Sequence, residues 1–204
     1  MAGCVALLLV GQLGGASPLA AAGGWKKSRQ KAGVTLYERA LPGHSLPELK
    51  AVTLLHASRA KVLQVLSDVP RYRRWIPRCR QSRLLWRRSA QELGFYQRFH
   101  LPWPLHDRDM VVAVQARALD PAGPLHIDFA TTRQKAPPTP KRVVRIRHMR
   151  GHYRLESLGP QRTRLSYQVY VDLGGSLPRW FLRWVARDVP WLTVRALRKE
   201  LHRR

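Results

Sequence analysis

The sequence predicts an α+β domain, in which one antiparallel sheet is covered by helices from other parts of the chain. Two observations support this fold class: strand-like segments follow one another through the middle of the chain, and a long amphipathic helix ends it. No regular alternation of strands with helices is visible, so a doubly wound parallel sheet has no support. At 204 residues, the chain fits one domain.

Two strands and two helices are predicted for the first part of the domain. Residues 34–39 and 46–55 have strand-like patterning, and Pro42 and Gly43 suit the turn between them. Ser58 is a good N-cap for the helix that follows. The helices are predicted over residues 58–66 and 68–77, and six further strands over residues 79–87, 91–101, 109–119, 124–132, 142–156 and 162–172.

The last predicted strand and the terminal helix have the clearest patterns. Apolar or aromatic side chains occupy alternate positions of residues 162–172, as in a strand with one buried face. Residues 177–202 are predicted to form the terminal helix, whose apolar face includes Trp180 and Trp184. Because Pro190 lacks a backbone N–H, it should kink this helix.

The chain is strongly basic, and its formal net charge of +25 predicts attraction to polyanions. Residues 71–88 combine many arginines with Tyr72, Trp75 and Trp86. Arginine mixed with aromatic rings suits either an anionic membrane surface or nucleic acid. The candidate membrane-surface residues are Arg71, Arg73, Arg74, Trp75, Arg179, Arg183 and Arg187.

Residues 1–22 are predicted to be a cleaved signal peptide. They lack charged side chains, contain a short apolar run, and end with the small residues Ala20 and Ala22. No basic residue precedes the apolar run, which departs from the usual pattern, and an uncleaved anchor or a tail is the alternative. Cleavage before Gly23 predicts a domain over residues 25–204 in the periplasm or at a membrane, where lipid is a commoner partner than nucleic acid.

Motifs for enzymatic chemistry are absent from the sequence. The chain contains no nucleophile elbow and no phosphate-binding loop. Its two cysteines, Cys4 and Cys79, are too few for a thiolate metal site. His148 and His152 are expected about 13 Å apart on a strand, which is too far to share a metal. We therefore expect no metal, no cofactor and no catalytic residue.

Five stretches of the sequence carry a resemblance to a known family. They lie within residues 25–39, 62–77, 96–109, 144–155 and 167–198. The most specific stretch contains LPWP at residues 101–104 and DRD at residues 107–109. Taken together, they resemble the START domain, the steroidogenic-acute-regulatory-related lipid-transfer family, in its short bacterial form. This family is part of the wider helix-grip superfamily, with Bet v 1-like and polyketide cyclase-like proteins.

The resemblance implies a helix-grip fold, in which a curved antiparallel sheet wraps around the C-terminal helix over an internal hydrophobic tunnel. It implies that the tunnel holds a lipid or another apolar small molecule, and that the terminal helix opens and closes it. We therefore predict a monomer that binds, and transfers, such a molecule without catalysis near an anionic membrane. The candidate tunnel residues are Tyr96, Phe99, Trp103, Arg108, Tyr153, Tyr167, Val169, Trp180 and Trp184.

Arg108 and Asp109 match an Arg-Asp pair of the family. A buried arginine beside an apolar tunnel requires a partner; it is expected to pair with Asp109, and the alternative is that it holds the acidic end of a ligand. Two other functions remain open. A cyclase or aromatase could use the same tunnel, with His100, Tyr96 and Arg108 as its acid and base groups, and a nucleic-acid or partner-binding module could use residues 71–88.

Overall fold

One curved sheet of ten strands dominates the described part of the chain. The computed structural model describes residues 24–118 and 123–204, without the side chains of residues 186 and 187. The predicted signal peptide, residues 1–22, lies outside the described residues. Strands β1 to β10 are Lys26–Lys31, Val34–Arg39, Glu48–Leu55, Cys79–Arg87, Glu92–Phe99, Asp107–Ala118, Leu125–Thr131, Val143–Arg145, His148–Gly159 and Arg162–Asp172, and helices α1 to α3 are Arg59–Ser67, Tyr72–Trp75 and Arg179–Arg203.

The sheet is antiparallel apart from one short strand. The strand order is β1-β2-β3-β10-β9-β7-β6-β5-β4, and β8 pairs parallel with β6. The last strand, β10, lies between β3 and β9 and so joins the N-terminal strands to the rest of the sheet. Since the helices are separate from this antiparallel sheet, the predicted α+β class is confirmed.

The structure corrects the strand assignment at two places. β1 has no counterpart among the predicted strands, because its sequence KKSRQK is polar throughout and offers no alternation. The single strand predicted over residues 142–156 is two strands separated by Ile146 and Arg147. β8 pairs with β6, whereas β9 pairs with β7 and β10, so the chain changes partners at this break.

The helices between β3 and β4 direct their apolar side chains inward. The Ser58 hydroxyl accepts a hydrogen bond from the backbone N–H of Lys61 (3.2 Å), which confirms the predicted N-cap of α1. Tyr72 and Trp75, three residues apart in α2, are both buried. The intervening arginines of this short helix are exposed.

The C-terminal half of α3 is tied to the first strands. Val194 and Leu197 belong to the main hydrophobic core, which includes side chains of β2, β3 and β10. Arg198 donates hydrogen bonds to the backbone oxygens of Ala32 (2.5 Å) and Gly33 (3.1 Å) in the turn between β1 and β2. These contacts fix this half of the helix against the sheet.

The N-terminal half of α3 packs in a different place. Phe181 and Val185 form a second apolar cluster with Leu46 and Leu101, which precede β3 and β6. The helix continues through Pro190 as one element. The two halves of α3 therefore rest on different parts of the protein.

Replacing Gly151 with alanine should strongly destabilise the fold. A Cβ atom there would overlap the backbone oxygen of Gln168 and lie 2.5 Å from the ring of Phe129. Because a neighbouring strand cannot shift freely, we expect a loss of about 3 kcal/mol in the free energy of unfolding, measured by urea titration. Gly24→Ala is the control, since a Cβ at Gly24 meets nothing within 4 Å. Equal stability of the two variants would contradict this packing.

Candidate ligand-binding cavity

An apolar cavity of about 240 Å³ lies between the inner face of the sheet and α3. One water molecule requires only ~10–15 Å³ by a comparable measure, so a much larger apolar molecule fits. The side chains that line it from the sheet include Phe95, Phe99, Arg108, Met110, Val112, Ile127, Phe129, Tyr153, Tyr167 and Val169. From α3, Phe181, Trp184, Val185, Val189 and Pro190 complete the wall.

Three aromatic rings on neighbouring strands cover one part of this inner face. Tyr153 and Tyr167 are paired across β9 and β10, and their rings are stacked with centroids 4.8 Å apart. Phe129 on β7 lies 5.3 Å from the ring of Tyr153. Burial raises the pKa of both tyrosine hydroxyls well above the ordinary value, so they stay neutral. Within residues 24–118 and 123–204, neither hydroxyl has a hydrogen-bond partner.

Arg108, at the start of β6, is a buried cation in the cavity wall. Its residue exposure is 3%, and burial lowers its pKa. The guanidinium donates hydrogen bonds to the backbone oxygens of Leu173 (3.0 Å), His106 (2.5 Å) and Gly174 (3.2 Å). The bonds to Leu173 and Gly174 hold the loop between β10 and α3 against β6.

Asp109 does not pair with Arg108, which corrects the expectation from the sequence. Its carboxylate accepts hydrogen bonds from Nε (2.6 Å) and Nη2 (2.9 Å) of Arg145, and from the hydroxyl of Tyr96 (3.1 Å). Consecutive residues of a strand point to opposite faces of a sheet, so Arg108 faces the cavity and Asp109 the outer side. Burial and the nearby Asp109 charge together raise the pKa of Tyr96 to about 12.

Most of the residues predicted to line the tunnel do line the cavity, but Tyr96 does not. The lining residues among them are Phe99, Arg108, Tyr153, Tyr167, Val169 and Trp184. Tyr96 is buried on the other face of β5, beside Trp86 and Val111. Since Tyr96 and Phe99 are three residues apart in one strand, they cannot share a face.

Trp103 and Trp180 also lie outside the cavity wall. Trp103 is 92% exposed in the loop between β5 and β6, and Trp180 is 53% exposed in the first turn of α3. The neighbours Leu101 and Phe181 fill the cluster at this end of the cavity instead. Both tryptophans therefore face away from the wall to which the sequence assigned them.

The predicted membrane-surface residues divide between surface and interior. Those exposed are Arg71, Arg73, Arg74, Arg179 and Arg183, and the side chain of Arg187 lies outside the described part of the protein. Trp75 is only 8% exposed and lines the cavity, so its surface assignment is wrong. The reason is the helical turn of α2, which places Trp75 on the same face as the buried Tyr72.

Several cavity residues were missed by the sequence analysis, including Phe95 and Phe129. The sequence of β5 could have indicated Phe95, because Phe95, Gln97 and Phe99 occupy alternate positions of this strand and therefore share one face. All three line the cavity. No comparable signal marked Phe129, because its place depends on the pairing of β7 with β9.

The groups considered for the alternative functions do not come together. His100 is half-exposed, and its Nδ1 lies 3.0 Å from the Asp107 carboxylate. Tyr96 lies on the outer face of the sheet. Of the three candidate acid and base groups, Arg108 alone lines the cavity. The aromatic residues of the basic segment, Tyr72, Trp75 and Trp86, are buried. They are not presented for stacking on nucleic-acid bases.

The fold and the apolar cavity between the sheet and α3 define a protein of the helix-grip type with room for an apolar small molecule. The chain belongs to the START domain family, whose sequence model matches residues 16–204. It is 28% identical to an uncharacterized protein of Pseudomonas aeruginosa, over 88% of each chain. It is 25% identical to the mouse phosphatidylcholine transfer protein, over 80% of this chain and 77% of the relative.

A solved structure supports the same assignment. The STAR-related lipid transfer protein from Xanthomonas axonopodis matches with a TM-score of 0.79 and 27% identity. The match covers 88% of this chain and 99% of the other. The helix-grip arrangement predicted from the sequence is therefore confirmed by the structure and by its relatives.

Replacing Asp109 with asparagine should destabilise the protein, because it leaves Arg145 partly buried without a counter-charge. Breaking a buried ion pair typically costs about 3–5 kcal/mol. Urea unfolding would measure the loss. Glu156→Gln is the matched control, since the side chains of Glu156, Arg154 and Arg164 are all partly exposed to solvent and their ion pairs should contribute less than about 1 kcal/mol. Similar losses in both variants would argue against a structural role for the buried pair.

Proposed function

We propose that the protein binds one lipid or similar apolar molecule in the cavity and carries it between membranes without chemical change. The observation that carries this proposal is the apolar cavity between the sheet and α3. Family membership and two relatives named as lipid or phosphatidylcholine transfer proteins support it. Binding would be driven by removal of apolar ligand surface from water, at about 25 cal/mol per Å² before the costs of association.

The N-terminal half of α3 moves to admit and release the ligand. Phe181 and Trp184 in this half form part of the cavity wall, whereas Arg198 anchors the other half to the β1–β2 turn. Pro190 lies between the two halves and cannot donate a backbone hydrogen bond. Bending of α3 therefore requires the least free energy near Pro190. It would uncover the cavity without releasing the half of the helix that Arg198 anchors.

The same end of the protein docks on an anionic membrane surface. Trp103 and Trp180 are exposed beside the apolar cluster that closes the cavity there. Arg78, which lines the cavity, lies 5.2 Å over the ring of Trp184, and Arg179 and Arg183 are exposed on α3. Tryptophan favours the headgroup level of a bilayer, and arginine is attracted by anionic lipids.

Membrane attachment by a spanning helix is not indicated within residues 24–118 and 123–204, where no helix is long and apolar enough to cross a bilayer. Surface docking needs no such helix. If residues 1–22 direct export as predicted, a membrane is also the polyanion that the basic surface meets. These points favour lipid over nucleic acid as the partner.

A tryptophan that fills the cavity should abolish lipid binding. Val169 on β10 lines the cavity, so Val169→Trp should reduce the amount of bound lipid by at least about tenfold. The measurement is native mass spectrometry of protein purified from its own host or incubated with mixed liposomes, with extraction and identification of the bound molecule.

Arg164→Trp is the matched control, because Arg164 is exposed on the opposite face of the same strand. Circular dichroism checks that both variants are folded. A folded Val169→Trp variant that retains the full amount of lipid would show that the cavity is not the binding site.

Removing the exposed tryptophans should weaken membrane docking. For the double variant Trp103→Ser/Trp180→Ser, we expect roughly fivefold weaker binding to phosphatidylglycerol vesicles in a co-sedimentation assay, because interfacial anchors are lost. Leu158→Ser is the control. Leu158 is another exposed apolar residue, but it lies in β9 beside the start of β10, at the opposite end of that strand from the loop that leads to α3. Docking at the cavity end is excluded if Leu158→Ser has the larger effect.

A further inference from the structure

The guanidinium of Arg108 has unused hydrogen-bonding capacity inside the cavity. An arginine side chain has five N–H donors, and three of them bind the carbonyl oxygens of Leu173, His106 and Gly174. One N–H on each terminal nitrogen is left without an acceptor among the described residues. Arginine stays charged in proteins, so a full positive charge also remains.

The acidic residues on either side of Arg108 are committed to other arginines. Asp107 binds Arg98 (2.9 Å) and Asp109 binds Arg145 (2.6 Å). Within the described residues, no carboxylate lies within 4 Å of the Arg108 guanidinium. Arg98 and Arg145 therefore each have a carboxylate as counter-charge. The guanidinium of Arg108, which faces the cavity, is compensated by backbone carbonyl dipoles alone.

The remainder of this cavity offers few competing polar groups. Gln97 donates to the thiol of Cys79 (3.6 Å), and the hydroxyl of Thr193 donates to the backbone oxygen of Val189 (2.9 Å). A buried cation in an apolar wall is costly unless an anion accompanies it. A carboxylate or phosphate can accept from both terminal nitrogens of one guanidinium.

The two tyrosines with free hydroxyls are offset from Arg108 along the strands of the sheet. Ala116, eight residues beyond Arg108 on β6, is paired with Ile127, which is paired with Tyr153. At about 3.3 Å per residue, the backbone positions of Arg108 and Ala116 are offset by roughly 26 Å along β6. Arg78, exposed at the rim near Trp184, adds a second positive charge at the Arg108 end only.

We propose that the ligand is an acidic amphiphile whose carboxylate or phosphate oxygens pair with Arg108, while its apolar chain extends along the cavity towards Tyr153 and Tyr167. This inference rests on the proposed function, since it names the chemical class of the molecule that the cavity carries. Arg108 is then a specificity-determining residue as well as a support for the loop before α3.

Two matched pairs of probes test the charge preference. Hexadecanoic acid and hexadecan-1-ol have the same chain and differ in the ionised carboxylate at about pH 8. Phosphatidic acid and diacylglycerol with identical acyl chains differ in the phosphate. We expect the wild-type protein to bind at least one acidic probe roughly tenfold more tightly than its neutral partner in a fluorescence displacement assay. The pair that shows the preference identifies the acidic group.

The variants Arg108→Gln and Arg108→Lys link the preference to this side chain. Arg108→Gln should reduce the ratio of acidic-probe to neutral-probe affinity to less than about twofold, and Arg108→Lys should keep part of the preference. Equal binding of acidic and neutral probes by the wild type would overturn the proposal, as would a preference that persists in Arg108→Gln. Failure of every probe to bind would instead overturn the proposed function itself.

A measurement on the wild type covers the case in which Arg108→Gln does not fold. The Nε–Hε signal of Arg108 in a ¹⁵N correlation spectrum should shift on addition of the preferred acid and not of its neutral partner. An identical response to both members of the pair would contradict an ion pair with the ligand.

Discussion

The opposite orientation of consecutive side chains along β6 determines where charge lies in this protein. Because Arg108 faces inward, Asp109 must face outward, where Arg145 and Tyr96 hold it. The same alternation in β5, β9 and β10 gives the sheet one apolar inner face. The cavity exists because these inward residues do not fill the whole space between the sheet and α3.

An apolar inner face needs a cover, and the cover must be removable if a ligand is to enter. In the proposed function, α3 would meet both requirements because its two halves rest on different supports. Arg198 and the main core hold its C-terminal half, whereas its N-terminal half packs on the cluster of Leu46, Leu101, Phe181 and Val185. That smaller cluster is the weaker support, so opening is expected there before any part of the main core is disturbed.

Local patterning allowed the fold class, the limits of β10 and much of the inner face to be predicted from the sequence. Tyr167 and Val169 line the cavity because strict alternation in β10 fixes their face. Trp103 could not be placed in this way, since it lies in a loop without periodicity. Trp75 looked like a surface residue among arginines, and only the packing of a four-residue helix against the sheet reverses that interpretation. The place of Phe129 in the cavity wall depends on the pairing of β7 with β9, which are distant in the sequence.

Two kinds of electrostatic interaction operate at different distances in this protein. The net charge of +25 acts through solvent, where salt screens it beyond about 10 Å, so it draws the protein to polyanionic surfaces without choosing among them. Arg108 is buried and weakly screened, and it acts only on a group inside the cavity. In the proposed function, capture at a membrane and selection of a ligand would therefore depend on different arginines, and salt should weaken the first far more than the second.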